Sequence, residues 1–181
     1  DAPTDRRFHA QPNACHLCGP CIWWVTRDAN DDAFIAKTDP TVDSATAIQQ
    51  FYNAIREGQI VAVKGIGGFH LACAATNPTA IAKLRERKGR IEKPLAVMVR
   101  DVDQATRFAV VTRVEKRLLE SSARPIVLLT KRQDMTKQRD INDGVNLVSE
   151  AVAPGNSFVG VMLPYSPLHY LLIDQSPLVM T

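Results

Sequence analysis

From Ser44 onward, short β-branched apolar runs alternate with segments whose apolar residues recur at helical spacing. That alternation limits the possible folds more than any other feature of the chain. Ala47, Ile48, Phe51, Ala54 and Ile55 share one helical face, after Asp43 or Ser44 as a cap. Gly58 ends that helix, and "QIVAVK" reads as a buried strand. The glycine-rich stretch "GIGGFHLACAA" leads to "TNPTAIAKLRER", a helix opened by Thr76 or Asn77 with Pro78 in its first turn. "PLAVMV", "PIVLLT", "SFVGVMLP" and "PLVMT" are further strands. Helical segments at about 101–107 and 112–121, and a short helix in "SPLHYLLI", separate them. Strands and helices alternating at these lengths predict an α/β domain with a largely buried sheet.

The 181 residues suit one domain, or one domain with a small appendage. With 45% hydrophobic and 23% charged residues the chain can bury a core, which excludes a disordered polymer. A net charge of +3 is small for a nucleic-acid-coating domain and argues against nucleic acid as a partner. No apolar run nears the roughly 20 residues that span a bilayer, and no signal-peptide pattern is present, so a cytoplasmic protein without membrane contact is expected. The chain opens on Asp1 and stops at Thr181 inside an apolar run, and is expected to be an excerpt of a longer polypeptide.

Residues 1–22 hold turn formers, basic residues and three of the four cysteines, with no apolar periodicity. They read as a small module that needs a metal to fold. "CIWWV" is a candidate strand, and 23–42 a polar connection with a short strand at Ala33–Ala36. "CHLCGP" sets Cys15 and Cys18 at C-x₂-C spacing on a tight turn, the form of a zinc knuckle. A structural zinc site takes four ligands and one knuckle supplies two, so the other pair is expected before Asp1. Cys21, His16 and His9 are possible substitutes. A redox pair would need a thioredoxin-like strand ahead of it, which is missing; incidental surface cysteines are the bland alternative.

Two further stretches carry chemistry. "KGIGGFH" follows a strand but fits neither the Walker A nor the dinucleotide pattern. Its glycines permit close backbone approach by a ligand, or merely a bulge, and His70 alone is more often structural than catalytic. In "RERKGRIEKPLAV" the bland reading is a solvated helix end whose dipole favours cations, and it suits Arg85, Glu86 and Arg87. Lys88, Arg90 and Lys93 differ, because Gly89 breaks the helix between them and Pro94 fixes the exit into a strand. Cations held on an ordered turn suit a polyphosphate or an acyl phosphate, Arg as a fork and Lys as a point charge.

These stretches, with "RPIVLL" and "APGNSFVGVMLPYSPLHYLL", resemble in order the YrdC-like domain of the HypF family of hydrogenase-maturation carbamoyltransferases. "DRRFHAQPNACHLCGP" resembles the closing half of the second zinc finger before that domain. The resemblance implies half of a zinc-finger module at 1–22, a connection at 23–42, and a YrdC-like domain at 43–181. That domain is expected to be a twisted mixed sheet flanked by helices. The resemblance further implies ATP, zinc and Mg²⁺ as cofactors, and carbamoyl phosphate as a substrate. The remaining domains of the same polypeptide and a HypE-type acceptor, carbamoylated on its C-terminal cysteine, are the implied partners.

The K-x-R…K-P signature of the wider superfamily falls on Lys88, Arg90, Lys93 and Pro94. With Lys64, Phe69 and His70 these form the implied nucleotide and carbamoyl-phosphate site; Cys15 and Cys18 are the implied metal ligands. Ala74 stands where the family usually has an acid. The family's Ser-Gly-Asn motif would begin past Thr181. Alternatives are a threonylcarbamoyl-adenylate synthase of tRNA modification and a double-stranded RNA-binding YrdC-like module. "GGFHLAC" and the finger favour the HypF type. Residues 1–181 alone are expected to show weak or no ATP-dependent pyrophosphate release with carbamoyl phosphate; measurable release overturns that expectation.

Overall fold

Helix α1, Ser44–Arg56, begins where a carboxylate caps it: Asp43 Oδ1 accepts the Thr46 amide at 2.7 Å. That bond holds the Asp43 carboxyl below its ordinary value. The computed structural model describes residues 21–25, 43–90, 93–132, 148–173 and 176–181. The chain divides into two units, 1–50 and 51–181, and α1 crosses the division. In the first unit "CIWWV" is not a strand, contrary to expectation. A short apolar run becomes a strand where a neighbour takes its backbone bonds, and the Ile22 amide instead donates to Ser44 Oγ at 3.3 Å. The strand expected at Ala33–Ala36, and Cys15 and Cys18, lie outside the described residues.

The second unit is built on a seven-stranded mixed sheet. Its elements are β1 Val61–Lys64, β2 Phe69–Ala74, α2 Pro78–Lys88, β3 Ala96–Met98, α3 Val102–Thr106 and β4 Ala109–Val110. They continue with α4 Arg113–Glu120, β5 Val127–Lys131, β6 Phe158–Met162, α5 Pro167–Leu172 and β7 Leu178–Met180. The sheet order is β1-β2-β7-β3-β6-β5-β4. β3 and β6 run parallel, and the other neighbouring pairs antiparallel. Periodicity does not pick out β2, whose glycine-led "FHLACA" mixes polar and small residues, nor the two-residue β4.

The larger core lies on the sheet face that α2 covers. Cys73, Val179 and Val97 form one row across β2, β7 and β3, each with no exposed surface. Ala80, Ile81 and Leu84 of α2 pack into the same cluster, with Leu71 beside it. Alternate strand residues face the opposite side, where His70 meets His169 of α5.

α2 is fixed at both ends. Asn77 Oδ1 accepts the Thr79 and Ala80 amides at 3.0 and 3.1 Å, and Pro78 fills a first-turn position that needs no amide partner. At the far end Gly89 adopts φ 59°, the Arg90 amide donates to the Arg85 carbonyl at 3.0 Å, and the Gly89 amide to the Glu86 carbonyl at 3.1 Å. This is a Schellman cap, which sets the backbone of Arg90 as the chain leaves the helix. Replacing Asn77 with Ala is expected to lower stability by about 1 kcal/mol, read as a reduced urea midpoint at unchanged slope.

Candidate nucleotide site

β7 is antiparallel to both β2 and β3, so its carboxyl end lies beside the starts of both. Thr181 exchanges two backbone bonds with Leu71, at 2.8 and 3.1 Å. The glycine loop entering β2 and the turn entering β3 therefore meet Thr181 at one end of the sheet. Five of the six residues expected in the nucleotide site gather there: Lys64, Phe69, Lys88, Arg90 and Lys93.

Lys88, the last residue of α2, is half-buried and donates from Nζ to Thr181 Oγ1 at 3.2 Å. Arg90 and Lys93 are exposed. Phe69 is 68% exposed, pairs directly with Lys64 across the strands, and has the Lys64 ammonium 4.9 Å from its ring centroid. Register places Lys64, Phe69, Leu71 and Thr181 on the face that α2 covers.

Arg85 corrects the sequence reading. It is not part of a solvated helix end: it is 8% exposed, and its guanidinium is bonded to four backbone carbonyls. Nε donates to Ala151 O at 2.9 Å and Nη2 to Val152 O at 2.8 Å. Nη1 donates to Arg90 O at 3.0 Å and to Lys93 O at 2.8 Å. Burial lowers its pKa, though an arginine stays charged at any ordinary pH. The signal was in the spacing, since 85 continues the i, i+4 stripe from Ile81 on the buried face of α2. Glu86 and Arg87 are exposed, as expected.

His70 lies on the opposite face and does not join the cations. Its Nε2 shares a 2.5 Å hydrogen bond with Tyr165 Oη. His169 completes an aromatic cluster, 4.4 Å from the Tyr165 ring and 5.8 Å from the His70 ring, both edge-on. His169 is 1% exposed, and neither ring nitrogen has a partner among the described residues. Burial, with His70 nearby, holds its pKa below the ordinary 6.5. Sequence spacing could not reveal this cluster, because its members meet only when α5 folds back over β2.

The glycine loop closes through a 2.7 Å bond from the Gly65 amide to the Gly68 carbonyl. A Cβ on Gly65 would come within 2.9 Å of His70 Cδ2, so glycine is required there. Gly67 and Gly68 differ: their φ angles are not positive, and an added Cβ would meet nothing within 4 Å. Nothing in the fold demands glycine at those two positions, which leaves backbone open to an approaching ligand.

A family model for the Sua5/YciO/YrdC proteins, described as telomere recombination, matches residues 53–181, and a model of the HypF finger matches residues 1–25. The chain belongs to the Sua5/YciO/YrdC family, in its HypF form. The carbamoyltransferase HypF of Rhodobacter capsulatus is 42% identical over 172 residues, which is 95% of this chain and 20% of that protein. A crystal structure of full-length HypF in the phosphate- and nucleotide-bound form is 44% identical with a TM-score of 0.76, covering 99% of this chain and 21% of that one. HypF of T. kodakarensis is 37% identical with a TM-score of 0.77, covering 100% of this chain and 21% of that one. The chain thus spans about a fifth of the length of these HypF proteins. The YrdC-like fold and the HypF finger are both as expected from the sequence. No described helix is long and apolar enough to cross a membrane.

The His169 burial gives this domain a testable pH dependence. The unfolded chain takes up a proton on His169 near 6.5, while the folded chain resists it to lower pH. The contribution is present above the unfolded value and lost as pH falls through it toward the folded one. The urea midpoint should drop between about pH 7.5 and about pH 5.5, and by less in His169→Phe. An equal drop in both proteins would rule His169 out as a source.

Proposed function

We propose that this chain is the adenylate-forming part of a carbamoyltransferase. Within the whole polypeptide, ATP and carbamoyl phosphate yield carbamoyl adenylate. The carbamoyl group then passes to the C-terminal cysteine of a HypE-type acceptor in nickel–iron hydrogenase maturation. The observation that supports this reading is that Lys88 bonds Thr181 at the sheet end where β2, led by the open glycine loop, and β3, led by Arg90 and Lys93, both start, in a chain similar to HypF carbamoyltransferases.

The chemistry asks little covalent work of the protein. Water first cleaves carbamoyl phosphate elsewhere in the polypeptide, leaving carbamate and inorganic phosphate. A carbamate oxygen then attacks the α-phosphorus of ATP, that oxygen–phosphorus bond forms, the bond to the β-phosphate bridge breaks, and pyrophosphate leaves. Catalysis then consists of positioning and of neutralising charge on the phosphates. Arg90 offers a planar fork, and Lys88 and Lys93 offer point charges beside it. The exposed backbone at Gly67 and Gly68 gives a phosphate or carbamate room to approach amides without meeting a side chain. Phe69 and Lys64 border the same space. His70 acts from the other face, by backing Gly65 and so shaping the loop.

Mg²⁺ would accompany the nucleotide as counter-ion to its phosphates, and no residue role above depends on it. Zinc would be structural, held by Cys15 and Cys18 with two ligands from elsewhere in the polypeptide. Residues 1–22 as the closing part of the finger, and 43–181 as the YrdC-like domain, remain the proposed organisation. The finger match at residues 1–25 favours this reading over a tRNA-modifying synthase or an RNA-binding module.

In the full-length protein, Arg90→Ala should reduce ATP–pyrophosphate exchange by on the order of 10²-fold or more, with far-UV circular dichroism and melting temperature unchanged. Exchange at the parental rate would sink the clamp assignment.

A further inference from the structure

We propose that Arg85 is the positioning residue of the phosphate clamp, holding the backbones of Arg90 and Lys93 in their ligand-ready places. The inference rests on the clamp reading above and adds a residue that does not itself face the ligand. One guanidinium nitrogen, Nη1, takes the carbonyls of both Arg90 and Lys93, at 3.0 and 2.8 Å. The backbones of Arg90 and Lys93 are thereby tied to a single point, while the two side chains stay exposed.

The other edge of the guanidinium is anchored to a part of the fold that is itself fixed. Nε and Nη2 take the carbonyls of Ala151 and Val152. That segment is held by the Ser149 amide on Ala75 O at 2.8 Å, and by the Leu95 amide on Val152 O at 2.9 Å. Because the guanidinium is planar, bonds on one edge dictate where the other can bond. Arg90 and Lys93 are therefore referenced, through the 149–152 segment, to the end of β2 and the start of β3, the latter bordering the nucleotide site.

Substitution separates this role from plain stabilisation. A lysine has no fork and cannot span both segments, so Arg85→Lys should keep the fold and lose part of the positioning. Methionine keeps the apolar stem and removes every donor.

The test uses the full-length protein and direct ATP binding by calorimetry, alongside melting temperature. Arg85→Met should weaken ATP binding by roughly tenfold, Arg85→Lys by less, and Arg90→Ala at least as much as either. If Arg85 acts through the turn, adding Arg85→Met to Arg90→Ala should weaken binding by clearly less than it does alone. ATP affinity unchanged in both Arg85 variants, with Arg90→Ala weakened, would overturn the positioning role and leave the clamp standing. Full additivity in the double variant would overturn it as well. ATP affinity unchanged in Arg90→Ala would remove the clamp reading itself, and this inference with it. Should Arg85→Met not fold, Arg85→Lys, alone and with Arg90→Ala, carries the same comparisons.

Discussion

β7, late in the sequence, is inserted between β2 and β3 inside the sheet, and the rest of the second unit depends on that placement. β2 borders only β1 and β7, so the β1–β2 hairpin joins the sheet through β7. The Cys73–Val179–Val97 row, fully buried, forms only when residues far apart in sequence pair. Such non-local pairing is slow to form, because loop closure precedes the contacts that reward it. Burial in that row also pushes the Cys73 thiol up to about 12, so it behaves as a small hydrophobe and not as a nucleophile. The same antiparallel pairing brings Thr181 to the starts of β2 and β3, and thereby creates the end of the sheet where the cations collect.

Two basic residues near the 149–153 segment show how burial decides what an interaction is worth. Lys131 Nζ lies 3.0 Å from both Glu150 oxygens, but Glu150 is largely exposed. A pair of that kind contributes at most about 1 kcal/mol, and less in salt. Arg85 has been taken out of water, where a polar group without partners costs several times more. Its carbonyl bonds offset that penalty only while Arg90, Lys93 and the 151–152 segment hold their places. A buried donor with several acceptors therefore penalises displacement of either segment, which a surface ion pair does not.

Much of this was legible in the residues. β1, β3, β5, β6 and β7 lie within β-branched or apolar runs, and α2 carries its cap, its first-turn proline and its terminal glycine in plain sequence. What could not be read depended on partners distant in the chain. β2 is a strand because β1 and β7 take its bonds, not because "FHLACA" alternates. Thr181 matters through its pairing with Leu71, and Tyr165 through a contact with His70 across the chain. Arg85 departs from its expected place for another reason: its charge points to solvent, while its helical phase points inward. The i, i+4 relation to Ile81 already placed it inward, and a guanidinium that finds carbonyls can occupy a core position.

β2 also explains why the candidate site has two kinds of residue. Alternation sends Phe69 and Leu71 to the α2 face and His70 to the α5 face, so neighbours in sequence face different environments. The α2 face supplies cations and the Thr181 hydroxyl. The α5 face supplies a packed aromatic cluster with no exposed charge, against which Gly65 lies too close for a side chain. The loop from Gly65 to Gly68 bridges the two. Its base is set by the His70 ring and its far glycines have open space where a side chain would stand, so its shape is dictated from one face. His70 therefore belongs to the site through the loop it supports, and the cations belong to it directly.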